Sequence, residues 1–138
     1  TPLSENIAKI FFRRINTPPH KLYSNLIFLN PLKITKPTPG KISNYDAAVT
    51  AVAINNSKIL LAYNPVYSRH ILRLVISNNK GKSWCKLKDI TNPPKSSYYS
   101  YPYLIRFNKN KYLLGVSSNN GTKVFTFNQK WIDSQKCK

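Results

Sequence analysis

Short apolar runs rich in β-branched residues, interrupted by Asn, Pro and Gly, set the pattern of this chain. Residues 47–54 (Ala-Ala-Val-Thr-Ala-Val-Ala-Ile), 58–63 (Lys-Ile-Leu-Leu-Ala-Tyr) and 70–77 (His-Ile-Leu-Arg-Leu-Val-Ile-Ser) have the length and composition of strands. Asn55-Asn56-Ser57 and Asn64-Pro65 punctuate them as turns. Residues 83–90 alternate like a half-exposed edge strand. A second set follows at 100–107, 111–117 and 122–128, with turns at Asn108-Lys109-Asn110 and Asn119-Asn120-Gly121. Asn-Gly accepts the positive φ that a tight hairpin requires. The chain is therefore expected to be nearly all β.

The two sets read as one unit written twice. Lys58-Ile59-Leu60-Leu61-Ala62 recurs 53 positions later as Lys111-Tyr112-Leu113-Leu114-Gly115, and the flanking strands recur at the same offset. A meander of three or four strands repeated at about fifty residues is the signature of a β-propeller blade. A β-sandwich would not oblige its strands to recur in register. We expect one blade over 46–98 and a final one over 99–138. Residues 1–45, broken by Pro18-Pro19, Pro31, Pro37, Pro39 and Gly40, are expected to be partly irregular, carrying outer strands of a preceding partial blade.

Composition narrows the chemistry. Of 138 residues, 22 are Lys or Arg and four are acidic, Glu5, Asp46, Asp89 and Asp133, giving a net charge of +18. Such a balance suits a phosphate-rich or acidic-sugar partner, so a basic module for nucleic acid or anionic glycan stands as an alternative reading. Abundant Lys beside abundant Asn equally fits a solvated lysine surface. Four acids leave little room for a paired-carboxylate glycosidase or a carboxylate-bound metal. His20, His70, Cys85 and Cys137 lack zinc spacing, so no metal or other cofactor is expected. The two cysteines permit one disulfide without implying it. No apolar run approaches the roughly 20 residues that span a bilayer, and no signal peptide is visible. With no methionine in the sequence, Thr1 is not a translation start, and we expect a processed chain or a piece of a longer one.

Ser77-Asn78-Asn79-Lys80-Gly81-Lys82-Ser83-Trp84 resembles the Asp-box, Ser-x-Asp-x-Gly-x-Thr-Trp, with Asn79 for the Asp and Ser83 for the Thr. Each position has a physical reason. Gly81 supplies a positive φ, the side chain at 79 bonds turn amides, and Trp84 packs back on its sheet. Together with Tyr45-Asp46-Ala47-Ala48-Val49, Arg69, Tyr99-Ser100-Tyr101-Pro102-Tyr103 and Trp131-Ile132, the box makes residues 38–132 similar to the sialidase-like BNR-repeat proteins. The resemblance implies the C-terminal two blades of a six-bladed propeller, with the box as a structural turn on the outer rim.

Sialidases hold the sialic-acid carboxylate with three arginines and attack with a tyrosine paired to a glutamate, while an aspartate serves as acid/base. The resemblance implies Arg69 as the third arginine and Tyr101 as the position of the nucleophile, with Asp46 as a further pocket residue. Tyr98, Tyr99, Tyr101 and Tyr103 can alternatively form one aromatic wall. The other two arginines and the acid/base aspartate belong to earlier blades and are not expected here, and an unassisted phenol is a poor nucleophile. The chain is thus expected to resemble a glycoside hydrolase while being inactive alone. Its expected partners are a sialylated or other anionic glycan and a chain supplying the missing blades, with no membrane.

Overall fold

A computed structural model describes residues 1–13, 18–91 and 96–136 of the chain. Within them the fold is all β apart from one short helix, and its strands form three antiparallel sheets, none closed. The first sheet holds β1 (Pro2–Ser4), β2 (Ile7–Phe12), β3 (Lys21–Leu29), β4 (Leu32–Ile34) and β5 (Thr38–Ser43). The second is a meander of β6 (Val49–Ala53), β7 (Ile59–Tyr63), β8 (Leu72–Ser77) and β9 (Cys85–Thr91) in chain order. The third contains β10 (Tyr99–Arg106), β11 (Lys111–Ser118) and β12 (Gly121–Asn128), and the helix α1 (Gln129–Ser134) follows it.

The second sheet is the centre of the molecule, because both of its faces are covered. All five residues of β7 are buried, as expected of a strand with no solvated side. Side chains alternate across a strand. Leu60 and Ala62 therefore join Leu74, Ile76, Leu104, Tyr112 and Leu114 in a core shared with the third sheet. Leu61 and Tyr63 turn the other way and pack with Val75, Leu22, Ile42 and Phe11 of the first sheet side. The register agrees: Leu61 lies opposite Ala51 and Val75, and Leu60 opposite Val52 and Ile76. Thr50 Oγ1 accepts the Leu104 N–H at 3.0 Å, joining β6 to β10. The outward faces of the two flanking sheets leave Ile10, Leu29, Leu32 and Ile34 on one side, and Tyr103 and Val124 on the other, exposed.

Two segments differ from the sequence-based expectation. The described residues of 2–12 and 21–43 build a five-stranded sheet rather than partly irregular chain. The prolines stand at strand ends and turns, and Pro39 lies on β5, which pairs only with β3. An edge strand tolerates the missing N–H. The last repeat has the three strands expected there and adds a helix that the sequence reading did not expect. Asn128 caps the helix by accepting the Trp131 N–H at 2.8 Å, and Ile132 inserts into the core. Cys85, opening β9, is disulfide-bonded, and Cys137 lies outside the described residues.

The Asp-box segment forms the β8–β9 turn. Ser77 Oγ accepts the Gly81 N–H at 2.7 Å, and Asn79 Oδ1 accepts the Ser83 N–H at 2.9 Å. Asn79 Nδ2 donates to Ser83 Oγ at 2.8 Å, a bond that an ionised Asp has no proton to make. Gly81 has φ +79°, and a Cβ there would meet Lys9 Nζ, Phe11 Cζ and Trp84 Cζ2 at 3.2 Å each. The turn is thereby docked on the first sheet.

Asn64, fully buried just past β7, joins the sheets through its amide. Its Nδ2 donates to the carbonyls of Ile71 at 2.9 Å and Tyr99 at 3.1 Å, and lies 3.4 Å from that of Arg69. Replacing it by an apolar residue of similar size strands these buried acceptors. Asn64→Leu is expected to lower unfolding free energy by about 2–3 kcal/mol, read as a lower urea midpoint at unchanged m-value.

Candidate functional site

Strand ends from all three sheets meet at one end of the molecule. Arg13 follows β2, His20 precedes β3, Asp46 lies between β5 and β6, Arg69 between β7 and β8, and Tyr98 just before β10. The registers Phe12↔Tyr23, Val49↔Tyr63, Tyr63↔Arg73 and Tyr99↔Ser118 put these connections on the same side.

The backbone is under strain there. Five described non-glycine residues have positive φ, and four of them lie at this end: His20 (+47°), Asp46 (+55°), Arg69 (+54°) and Tyr101 (+52°). Such conformations cost of order 1 kcal/mol or more each and concentrate where function over-determines the geometry. The local cause is visible for Asp46. Buried Asn44 donates to Ala47 O at 3.0 Å and accepts the Ala47 N–H at 3.1 Å, closing a tight loop with Asp46 at its turn. The Asn44 N–H in turn donates to His20 O at 2.7 Å, and the His20 ring stacks on Tyr45 with centroids 5.7 Å apart. Tyr101 sits where the β10–β11 register shifts.

The loop presents the Asp46 carbonyl to two arginines. Arg13 Nη1 donates to it from the first sheet side, and Arg69 Nη2 donates from the second at 3.2 Å. Arg69 also donates from Nη1 to the Tyr98 hydroxyl at 2.7 Å, its guanidinium 5.7 Å from the ring centroid. The main chain of Arg69 is held independently, since its carbonyl accepts the Tyr99 N–H at 2.9 Å. Side chain and backbone of Arg69 thus link the second sheet to the third.

The structure brings the Arg69 guanidinium to the Asp46 main-chain carbonyl. Tyr101 is at the same end, two residues beyond Tyr99, with 63% of its surface exposed. No described contact joins its side chain to either of them. The tyrosines are not one wall: Tyr99 is a core residue, whereas Tyr98, Tyr101 and Tyr103 are exposed. Arg13 escaped the sequence reading altogether, although a cation directly after the apolar run Ile10-Phe11-Phe12 marks a strand end. Ser77, Asn79, Gly81, Ser83 and Trp84 form the turn at the far end of the second sheet.

The four acids are sharply divided. Asp46 lies in the loop at this end, and Asp89, opposite Arg73 on β9, lies toward it. Glu5 lies in the β1–β2 turn at the opposite end, and Asp133 in α1 beyond β12. Asp89 receives Arg73 through two bonds, Nε at 2.6 Å and Nη2 at 3.1 Å, and Lys86 Nζ at 2.8 Å. Burial alone would raise its pKa, but the hydrogen bonds and charges of Arg73 and Lys86 outweigh this and hold the carboxyl below the usual carboxylate range. Among the described residues, no group of three or more His, Cys, Asp or Glu is placed to hold a metal ion.

A model of the BNR repeat-like domain matches residues 1–114. No curated protein and no solved structure matches the chain.

A depressed carboxyl pKa stabilises the fold at pH values above the unfolded value, near 4, and that stability disappears as pH falls through the lower folded value. Asp89→Asn is therefore expected to cost about 1 kcal/mol at pH 7. The difference from the parent chain should shrink towards zero in urea denaturation below pH 4.

Proposed function

The chain belongs to the BNR repeat-like domain family, and on that premise we propose that it is part of a sialidase-like propeller whose described end binds the carboxylate of an acidic sugar. The covering of the second sheet on both faces and its in-order meander support reading the three sheets as consecutive blades. Any catalytic turnover would need groups from further blades.

One observation carries the binding reading: two guanidinium groups from different sheets converge on a single carbonyl oxygen. The accepting carbonyl is neutral, and each guanidinium has five donors. A sugar carboxylate arriving beside Asp46 O would take up the unused donors in charge-assisted pairs, the strongest class of protein hydrogen bond. The Tyr98 hydroxyl, already bonded to Arg69, would fix the orientation of the guanidinium plane. Tyr101, exposed on the same rim, would border the sugar ring.

Hydrolysis by this chain alone lacks its acid/base partners. Asp46 offers the arginine pair its carbonyl, Asp89, toward the same end on β9, is engaged by Arg73 and Lys86, and Glu5 lies in the β1–β2 turn at the opposite end. The reading is therefore a carboxylate-binding half of a glycan site, inactive as an isolated chain.

Calorimetric titration with a sialylated trisaccharide should show binding, while unsialylated lactose should not bind. Arg69→Ala is expected to weaken the interaction about 10–100-fold, the value of one or two charge-assisted hydrogen bonds. A fluorogenic sialoside should not turn over. Equal affinity for lactose, or unchanged affinity in Arg69→Ala and Arg13→Ala, would overturn the site. Turnover that Tyr101→Phe abolishes would overturn the inactivity. Salt-sensitive DNA binding that ignores both arginine substitutions would favour the basic-module alternative.

A further inference from the structure

A groove distinct from the arginine pair runs along the strands between the first and second sheets. Its volume is about 590 Å³, and its lining extends from Tyr45 and Pro65 to Ser83 and Trp84. Tyr63 and Val75, both buried in the core between these sheets, form its floor. We propose that this groove binds an internal stretch of a linear acidic polysaccharide, with pyranose units carrying carboxylate or sulfate groups.

Charge is the first argument. Lys41 of β5 lines one side, and Arg73 of β8 with Lys86 of β9 lines the other. Asp89 binds Arg73 and Lys86 together, at 2.6 and 2.8 Å, so a single carboxylate fixes two cations side by side and neutralises only one. With Lys41 added, three positive charges face one negative charge. The groove is preorganised for an anion, since the long side chains of Arg73 and Lys86 are ordered before any ligand arrives.

The rest of the lining identifies the anion as a sugar. Trp84 is held by the edge of Phe11, ring centroids 5.6 Å apart, and remains partly exposed to the groove. Tyr45, 37% exposed, lies at the other end. These are amphipathic rings that present apolar faces to a pyranose while their polar edges stay wet. Ser43 and Ser83 also line the groove, and a hydroxyl is both donor and acceptor, suited to sugar hydroxyls. A nucleic-acid strand brings a phosphate with every residue, which the Asp89 carboxylate behind Arg73 opposes. An acidic polysaccharide separates its charges with hydroxyl-bearing carbons, and so matches a lining that combines cations, rings and hydroxyls.

The test is calorimetric titration of the 138-residue chain with hexasaccharides from heparin, which carries sulfate, and from hyaluronan, which carries carboxylate alone. Maltohexaose serves as the neutral control. The acidic hexasaccharides should bind and maltohexaose should not. Heparin binding without hyaluronan binding assigns sulfate as the anchor, and binding of both assigns either anion. Lys41→Glu combined with Lys86→Gln should weaken binding about tenfold, as expected for two solvent-facing charge contacts. Lys41→Glu alone, at an exposed side chain, should move in the same direction without lowering the melting temperature. Lys109→Glu with Lys111→Gln, in and just after the β10–β11 turn at the far end of the third sheet, should leave binding unchanged. Equal weakening by the Lys109/Lys111 variant would overturn the proposal in favour of diffuse charge. Loss on Arg69→Ala alone would overturn it by moving the ligand to the other site. Tighter binding of single-stranded DNA than of either acidic hexasaccharide would overturn the ligand class.

Discussion

The burial of β7 on both faces is the constraint on which the rest depends. A strand whose five residues are all inside has no solvated side to relax towards, so its stability requires the first and third sheets at once. Leu60 and Ala62 on one face, Leu61 and Tyr63 on the other, tie three sheets of separate sequence into one packing unit. The site follows from the same strand. Where β7 ends, Asn64 spends its amide on carbonyls of Ile71 and Tyr99, so the loop carrying Arg69 inherits its position from the core.

Scarce acids organise an overwhelmingly basic chain. Asp89 draws Arg73 and Lys86 together through its carboxylate. Asp46 does something different, offering Arg13 and Arg69 a backbone oxygen. The first arrangement is a closed, partly screened network that also stabilises the fold. The second leaves guanidinium donors in surplus, and the positive φ of Asp46 and Arg69 shows the main chain bent away from its preferred wells to achieve it. These two ways of placing cations distinguish the groove from the arginine pair.

Much of this was legible in the residues. The alternation and Asn-rich turns of 47–128 marked the strands, and Ser77, Asn79, Gly81 and Ser83 marked the β8–β9 turn, because each feature is encoded within a few positions. Less legible were features set by distant contacts. Prolines hid the first sheet, since local rules weigh Pro against strands while edge position forgives it. The short helix after β12 depends on one capping side chain, Asn128. Arg13 is read as a strand-end cation until the first sheet is seen to deliver it to Asp46. Among four closely spaced tyrosines, nothing local told that Tyr98 would meet Arg69 while Tyr99 entered the core.

Position 64 has an implication for how this chain can change over time. One amide there fixes the bend that carries the arginine and also the first strand of the neighbouring sheet, so a substitution is felt in the core and in the placing of Arg69 together. Drift at 64 would be penalised twice over. Innovation in specificity is then channelled to residues outside that linkage, such as the aromatic and lysine positions along the rim.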